Sequence, residues 1–207
     1  MKIFSPPRRI LMGPGPSDVD PLVLKAMAAP LIGHLDPAFL NLMDDIQKLL
    51  RKLFETNNQL TIPISATGSA GMESAFVNLI EPGDSVTVCI NGVFGERMSD
   101  IVVRSGGDLS RVEASWGKGF DMNAIRDNLL LNHPKILAVV HAETSTGVLT
   151  HLSQIKEVLN EFPETLLLVD CVTSLGGHSV GIDQFRVDFA YGGTQKCMSC
   201  PPGLAPI

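Results

Sequence analysis

Two apolar stretches of strand length each lead into a residue that can do chemistry. The run Leu166-Leu-Leu-Val169 ends in Asp170, and the run that begins at Asp188 passes through two glycines to Lys196. In an open α/β sheet, ligands bind at the carboxyl ends of the strands. A carboxylate after one strand and a lysine just past another would therefore face the same crevice.

This pair of residues suits pyridoxal 5'-phosphate. The cofactor needs a lysine that forms a Schiff base with it and an anion against its pyridine nitrogen, and we predict Lys196 and Asp170 for these roles. Taken singly, each residue has an ordinary alternative: Asp170 could cap the next loop through Thr173 or Ser174, and Lys196 could be a solvated surface lysine. Lys196 lies in an uncharged stretch, however, where an exposed lysine is seldom found.

The segment Ser65–Gly71 joins a predicted strand to a predicted helix and is a candidate phosphate site. Thr67, Gly68 and Ser69 would bring hydroxyl groups and free backbone N–H groups to a helix N-terminus, where the helix dipole favours an anion. The alternative is an ordinary turn in which Ser or Thr caps the helix, and such turns are common. The segment lacks both the G-x-G-x-x-G dinucleotide pattern and a Walker A lysine.

Four further side chains are candidates for contacts with the cofactor or the substrate, and each could instead have an ordinary structural role. Phe94 could stack on one face of a flat cofactor ring with Val172 against the other face, although a single Phe or Val is more often part of the core. Ser145 could hydrogen-bond a phenolic oxygen of the cofactor, or could merely cap the helix that follows. His34 could line the substrate pocket, or could occupy an ordinary loop position.

The elements that would position these residues alternate between strand and helix from residue 61 onward. We predict strands at residues 61–66, 85–90, 109–112, 136–141, 165–170 and 188–191, and helices at 70–80, 96–105, 123–131 and 152–161. Two earlier helices are predicted at 21–27 and 37–54, after an irregular N-terminal arm at residues 1–20. Such alternation predicts one α/β domain over residues 21–207, with a mostly parallel sheet and helices on both faces.

Charge and hydrophobicity indicate which kinds of partner and which cellular location to expect. The net charge is −6 and the basic residues are scattered, which does not favour nucleic acid or a membrane surface as a partner. Because the N-terminus lacks the apolar core of a signal peptide and no run approaches membrane-spanning length, we expect a cytoplasmic protein. Hydrophobic residues make up 44% of the chain and the mean hydropathy is +0.21, which favours a surface that contacts a partner subunit.

The four cysteines are too few for a disulfide scaffold. Cys197 and Cys200 match the C-x-x-C spacing, but a redox pair would need the helix N-terminus of a thioredoxin-like unit, and zinc would need a second pair of ligands. Neither context is evident in the sequence. We interpret this spacing as a coincidence and predict no metal site.

Several short segments occur together in an order that is typical of one enzyme family. They are Gly13-Pro-Gly-Pro16, Gly33-His-Leu-Asp-Pro-Ala-Phe39, Glu81-Pro-Gly-Asp84, Glu143-Thr-Ser-Thr-Gly147, Val169-Asp170, Ser174-Leu-Gly-Gly177, Gly193-Thr-Gln-Lys196 and Pro202-Gly203. With these segments the chain resembles the class V aminotransferases of fold type I, specifically the alanine/serine/(S)-ureidoglycine–glyoxylate group. The resemblance covers essentially the whole chain.

The resemblance implies the large domain of the PLP-transferase fold and gives each candidate a role. Lys196 is implied as the Schiff-base lysine and Asp170 as the partner of the pyridine nitrogen. The other implied cofactor contacts are Thr67, Gly68, Ser69 and Gln195 at the phosphate, Phe94 on the ring, and Ser145 near the phenolic oxygen.

The implied activity is ping-pong transfer of an amino group from serine, alanine or (S)-ureidoglycine to glyoxylate or pyruvate, in a homodimer. Because family members are about twice as long as this chain, we expect the small C-terminal domain to be missing from it. Two alternatives stay open. One is a related desulfurase or lyase, and the other is a truncated remnant that binds the cofactor weakly or not at all.

Overall fold

The computed structural model describes residues 4–207. The first two helices, α1 (Pro21–Met27) and α2 (Pro37–Phe54), have the bounds that the sequence predicts. Each starts in the same way: an aspartate, Asp20 or Asp36, accepts a hydrogen bond from the backbone N–H two residues on, and a proline occupies the first helical position. Both features favour a helix start and are visible in the local sequence.

The remaining elements follow the predicted order of strands and helices, with three short additional strands. The strands are β1 (Pro63–Ile64), β2 (Ser85–Ile90), β3 (Asp108–Glu113), β4 (Ile136–Val140), β5 (Ala142–Glu143), β6 (Val148–Leu149), β7 (Leu166–Asp170), β8 (Phe189–Tyr191) and β9 (Ala205–Pro206), of which β5, β6 and β9 are the additional ones. The helices are α3 (Gly68–Leu79), α4 (Val93–Arg104), α5 (Met122–Asn132) and α6 (Leu152–Leu159). Five of these strands form a parallel sheet in the order β3-β2-β4-β7-β8.

Helices cover both faces of the five-stranded sheet, which confirms the predicted α/β architecture. Along β4, Ile136 and Ala138 pack in one core cluster with α3 and α4, whereas Leu137 and Val139 pack in a second cluster with α2, α5 and α6. The alternation follows from the two-residue period of a strand. A strand that is buried on both faces reads as a continuous apolar run, as this one does.

The predicted strand at residues 61–66 is wrong in length and in placement. Only Pro63 and Ile64 form β1, which pairs antiparallel with β9 in a separate two-stranded sheet. Proline has no backbone N–H to donate, which excludes it from a central strand. The hairpin of β5 and β6 was not predicted either, because strands of two residues carry no detectable period.

No helix within residues 4–207 is long and apolar enough to cross a membrane. Residues 1–3 of the predicted N-terminal arm lie outside the described residues, and the rest of that arm, residues 4–20, contains no helix or strand. The division into an arm at 1–20 and a domain at 21–207 stays a prediction.

Candidate active site

Asp170 is a buried carboxylate at the carboxyl end of β7, and its side chain is 3% exposed. One carboxylate oxygen accepts the backbone N–H of Val172 at 2.8 Å, and the other accepts the hydroxyl of Tyr191 at 2.9 Å. Tyr191 lies directly opposite Asp170 on β8. Burial raises the pKa of Asp170 to about 6, although both hydrogen bonds oppose the rise. Such a carboxylate favours a cationic partner, because a buried charge needs compensation.

Lys196 follows β8 and is partly buried. Its Nζ donates a hydrogen bond to the backbone carbonyl of Pro14. Burial lowers the pKa of Lys196, while the negative charge of Asp170 acts to raise it. The same electrostatic interaction acts to lower the pKa of Asp170. A lysine with a lowered pKa carries more of the neutral, nucleophilic amine at neutral pH.

The N-terminal arm lies against the lysine, which sequence reasoning missed. Ser17 donates its backbone N–H to the carbonyl of Gln195 at 2.8 Å and its hydroxyl to the carbonyl of Lys196 at 2.7 Å. A Cβ atom built on Gly15 would lie 2.8 Å from Cδ of Lys196, so a larger residue there would displace the lysine side chain. The arm therefore forms one wall of the lysine's surroundings.

The N-terminus of α3 has the properties of an anion site. The N-cap residue, Thr67, makes no side-chain capping hydrogen bond, so the first N–H groups of α3, those of Gly68 and Ser69, are not satisfied by a cap. Oε1 of Gln195 is buried without a hydrogen-bond partner among the described residues. Because the two ends of an amide are assigned and not observed, this buried end can equally present the NH₂ group.

Val172 connects this helix terminus to the lysine loop. Gly68 and Gly193 both pack against Val172. A Cβ atom built on either glycine would lie 3.1 Å from a methyl group of Val172. The glycines therefore keep three segments in close contact: the turn after β7, the start of α3 and the loop before Lys196. This brings three of the candidate residues, Gly68, Val172 and Gln195, into one region of the structure.

Phe94 is held at the start of α4 by residues that are distant in sequence. Its backbone N–H donates to Oε2 of Glu143 at 3.1 Å, and the N–H of Val93 donates to Oγ of Ser145 at 3.0 Å. Arg97, which sequence reasoning missed, connects this helix to the anion site. Its Nη1 donates to Oγ of Ser69 at 3.0 Å, and its Cζ lies 5.6 Å from the centre of the Phe94 ring.

Comparison with known proteins assigns the chain to a family. The family model described as "Aminotransferase class-V" matches residues 23–206. The chain belongs to the class V aminotransferases. It is 42% identical over 201 residues to an (S)-ureidoglycine–glyoxylate transaminase of Bacillus subtilis, a match that covers 97% of this chain and 48% of that protein.

Other class V aminotransferases are about as similar. An alanine–glyoxylate aminotransferase of Rattus norvegicus is 38% identical over 206 residues, which covers 100% of this chain and 50% of that protein. The crystal structure of an alanine–glyoxylate aminotransferase from Nostoc sp. superposes with a TM-score of 0.96 at 48% identity, and the match covers 100% of this chain and 54% of that chain. This chain thus spans about half the length of the curated relatives it matches.

Class V aminotransferases depend on pyridoxal 5'-phosphate, which confirms the cofactor predicted from the sequence. The residues of this chain fit that cofactor on three observations. Asp170 is a buried carboxylate with a raised pKa, the N-terminus of α3 is uncapped, and a polar end of Gln195 is buried without a partner. The ring nitrogen and the phosphate would satisfy these groups.

One predicted site residue stands apart from the others. His34 lies on an exposed turn between α1 and α2, and no described hydrogen bond joins it to the rest of the site. Its role as a substrate residue stays a prediction. Tyr191, which sequence reasoning also missed, could have been found from its position in the strand that leads to Lys196, since that strand is the natural neighbour of β7.

Proposed function

We propose that this chain carries the cofactor-anchoring half of a transaminase. The reaction would move an amino group from serine, alanine or (S)-ureidoglycine to glyoxylate or pyruvate by a ping-pong mechanism. The observation that carries the proposal is the placement of Lys196, in the loop that follows β8, near buried Asp170 at the end of neighbouring β7, where each charge shifts the pKa of the other group. The relatives are named as glyoxylate transaminases, which supports glyoxylate as a substrate.

The side chains divide the work of binding and proton transfer. Asp170 holds a negative charge where the ring nitrogen would lie, and Tyr191 and Val172 fix its direction through hydrogen bonds. Thr67, Gly68, Ser69 and Gln195 are proposed to bind the phosphate. When bound, pyridoxal 5'-phosphate supplies an electron sink for charge that develops on the substrate carbon.

Lys196 is proposed as the residue that both anchors the cofactor and moves the proton. Its lowered pKa favours the neutral amine, which can take a proton from the substrate carbon and return it to another position. Phe94 and Val172 are proposed to lie against opposite faces of the ring. This arrangement would hold the ring still while the proton moves between two atoms.

A homodimer is proposed as the functional assembly. The exposed apolar residues Leu22, Leu24, Met27, Leu31, Leu35 and Leu40, here called the apolar N-terminal face, support it. No residue of α1 is buried, and Leu31 is 99% exposed. A face this apolar favours contact with another protein surface. We place the reaction in the cytoplasm, where the four free cysteines would stay reduced.

Visible absorption spectra with added pyridoxal 5'-phosphate test the proposal. We expect an absorption band that is absent from Lys196→Ala, present in the control Lys52→Ala on the exposed side of α2, and bleached by at least one of the three donors. A band of equal strength in Lys196→Ala would contradict the role of the lysine. A lysine-dependent band that no donor bleaches would instead support the alternative of a cofactor-binding chain without transaminase activity.

A further inference from the structure

Glu143 is a buried carboxylate to which the proposed reaction gives no role. It ends β5, its side chain is 1% exposed, and no salt bridge joins it to a cation among residues 4–207. It accepts three hydrogen bonds instead. Oε2 accepts the N–H of Phe94 at 3.1 Å, while Oε1 accepts the N–H of Ser145 at 3.0 Å and the hydroxyl of Ser145 at 2.6 Å.

The side chains of Glu143 and Ser145 pack so closely against Gly92 that no larger residue fits at position 92. A Cβ atom on Gly92 would lie 2.3 Å from Cγ of Glu143 and 2.5 Å from Oγ of Ser145. Gly92 is the N-cap of α4 and makes no side-chain cap of its own. Glu143 therefore supplies the negative group that the N-terminus of this helix favours, from a segment about fifty residues away in the chain.

The hydrogen bonds of Ser145 restrict what it can offer a ligand. A serine hydroxyl has one proton and two lone pairs. The proton is donated to Glu143, and one lone pair accepts the N–H of Val93 at 3.0 Å. Ser145 is exposed, so a ligand can reach it, but only a lone pair remains for that ligand.

We propose that Glu143 is a positioning residue: it holds the hydroxyl proton of Ser145, so that Ser145 is an acceptor toward the phenolic oxygen of the cofactor, and it fixes Phe94 through its backbone. The inference rests on the proposed cofactor site and deepens it. Among the charged groups of the site, Asp170 on β7 interacts with both Glu143 and Lys196, and Arg97 on α4 lies over the ring of Phe94. The negative charge of Glu143 acts to raise the pKa of Asp170.

Ser145→Ala gives the first test, read from the pH titration of the Lys196-dependent visible band. A hydrogen bond donated to the phenolic oxygen favours its deprotonated form and lowers the apparent pKa of the band. If Ser145 is an acceptor, its removal leaves that apparent pKa unchanged or lowers it. A rise in Ser145→Ala would show that Ser145 is a donor, and would overturn the proposal.

Glu143→Leu gives the second test, because leucine has no oxygen atom to accept the proton of Ser145. We expect the apparent pKa of the band to fall by about one unit, and most of that fall to disappear when the same change is made in Ser145→Ala. A fall of equal size in both backgrounds would overturn the proposal, since the charge of Glu143 would then act alone. The control is Glu96→Leu, which changes an exposed glutamate of α4 paired with Arg111 and should leave the band unchanged.

A measurement on the cofactor-free protein separates this inference from the proposed function. In Glu143→Ala, amide exchange at Phe94 should become at least about tenfold faster while amides of α6 keep their rates, because only the first has lost its acceptor. Unchanged exchange at Phe94 would overturn its fixation by Glu143. If no Lys196-dependent band forms in the unchanged protein, the proposed function fails, while the exchange result still decides whether Glu143 holds α4.

Discussion

Asp170 and His141 are two buried titratable residues whose effects on stability have opposite signs. Burial raises the pKa of Asp170 from 3.8 to about 6 and lowers the pKa of His141 from 6.5 to about 4, where His178 and His151 also contribute. Between about pH 4 and 6 the folded state binds the Asp170 proton that the unfolded state has lost. Over nearly the same range the unfolded state binds a His141 proton that the folded state has lost.

Asp170→Asn should isolate the Asp170 contribution in the cofactor-free protein, because His141 is present in both proteins and cancels from their difference. Asp170 contributes stability below about pH 4 that is lost as the pH rises through 6. Because asparagine does not titrate, the free energy of unfolding of Asp170→Asn relative to the unchanged protein should increase by about 2 kcal/mol from pH 4 to pH 6.5. Denaturant titrations across this range measure the difference.

The matched control for this prediction is Asp108→Asn, because Asp108 is an exposed aspartate on β3. Its free energy of unfolding should follow that of the unchanged protein across the range. Parallel curves for Asp170→Asn and the unchanged protein would show that the burial of Asp170 has no effect on its titration.

At the scale of elements, the N-terminal arm is part of the candidate site although it has no regular structure. Gly15 has a φ of +125°, which L-residues rarely adopt, and its Cα lies against the side chain of Lys196. Ser17 fixes the carbonyl of Lys196 from the same segment. The Gly-Pro-Gly-Pro sequence therefore lets the backbone of the arm come close to the side chain of Lys196, in addition to forming a turn.

Gly15→Ala should weaken cofactor binding at least about tenfold, because the new methyl group displaces Lys196 and the backbone is strained at positive φ. Gly13→Ala is the matched control, since a Cβ atom there would meet nothing within 4 Å and its φ is not in the left-handed region. Fluorescence titration with pyridoxal 5'-phosphate measures both affinities. Equal affinities for the two variants would show that the arm does not position the lysine.

The start of α4 shows what the sequence can and cannot predict. The bounds of α2 were predicted correctly because Asp36 and Pro37 mark its start locally. The start of α4 was predicted three residues late, at residue 96, because its first N–H groups are satisfied by Glu143 and Ser145, which come after another two strands and a helix.

The same limit applies to the site residues. Asp170 and Lys196 could be predicted because each follows an apolar run in the local sequence, and the fold brings the ends of neighbouring strands together. Ser17 and Glu143 take part through hydrogen bonds to residues far away in the chain, so no local pattern marks them, whereas the position of Tyr191 in the strand before Lys196 does indicate it. Spacing in the sequence indicates candidate reactive residues, but it does not indicate the residues that position them through long-range hydrogen bonds.

At the scale of the whole molecule, burial is distributed unevenly. Helix α2 packs against only one of the two core clusters, through its second half, where Leu50 and Phe54 are buried and Ile46 is partly buried. The apolar N-terminal face contributes no buried side chain to them. A chain that leaves so much apolar surface in one region favours association through that region.

Sedimentation velocity tests this association. We expect the chain to sediment as a dimer, and the double change Leu31→Glu with Leu35→Glu to shift it toward monomer, because a buried charge at an interface costs several kcal/mol. The control is Leu131→Glu on α5, which is 80% exposed but lies outside the apolar N-terminal face. A monomer at all concentrations, or equal dissociation by both changes, would contradict a dimer formed through this face.

The contact between Ser17 and Lys196 also affects the order of folding. It joins residues 179 positions apart, near the two ends of the described chain, whereas the parallel sheet joins strands that are much closer in sequence. Closing so long a loop costs more entropy than pairing neighbouring strands. A refolding molecule should therefore regain its helices and sheet before it regains the surroundings of the lysine, and cofactor capture then reports the last step of folding.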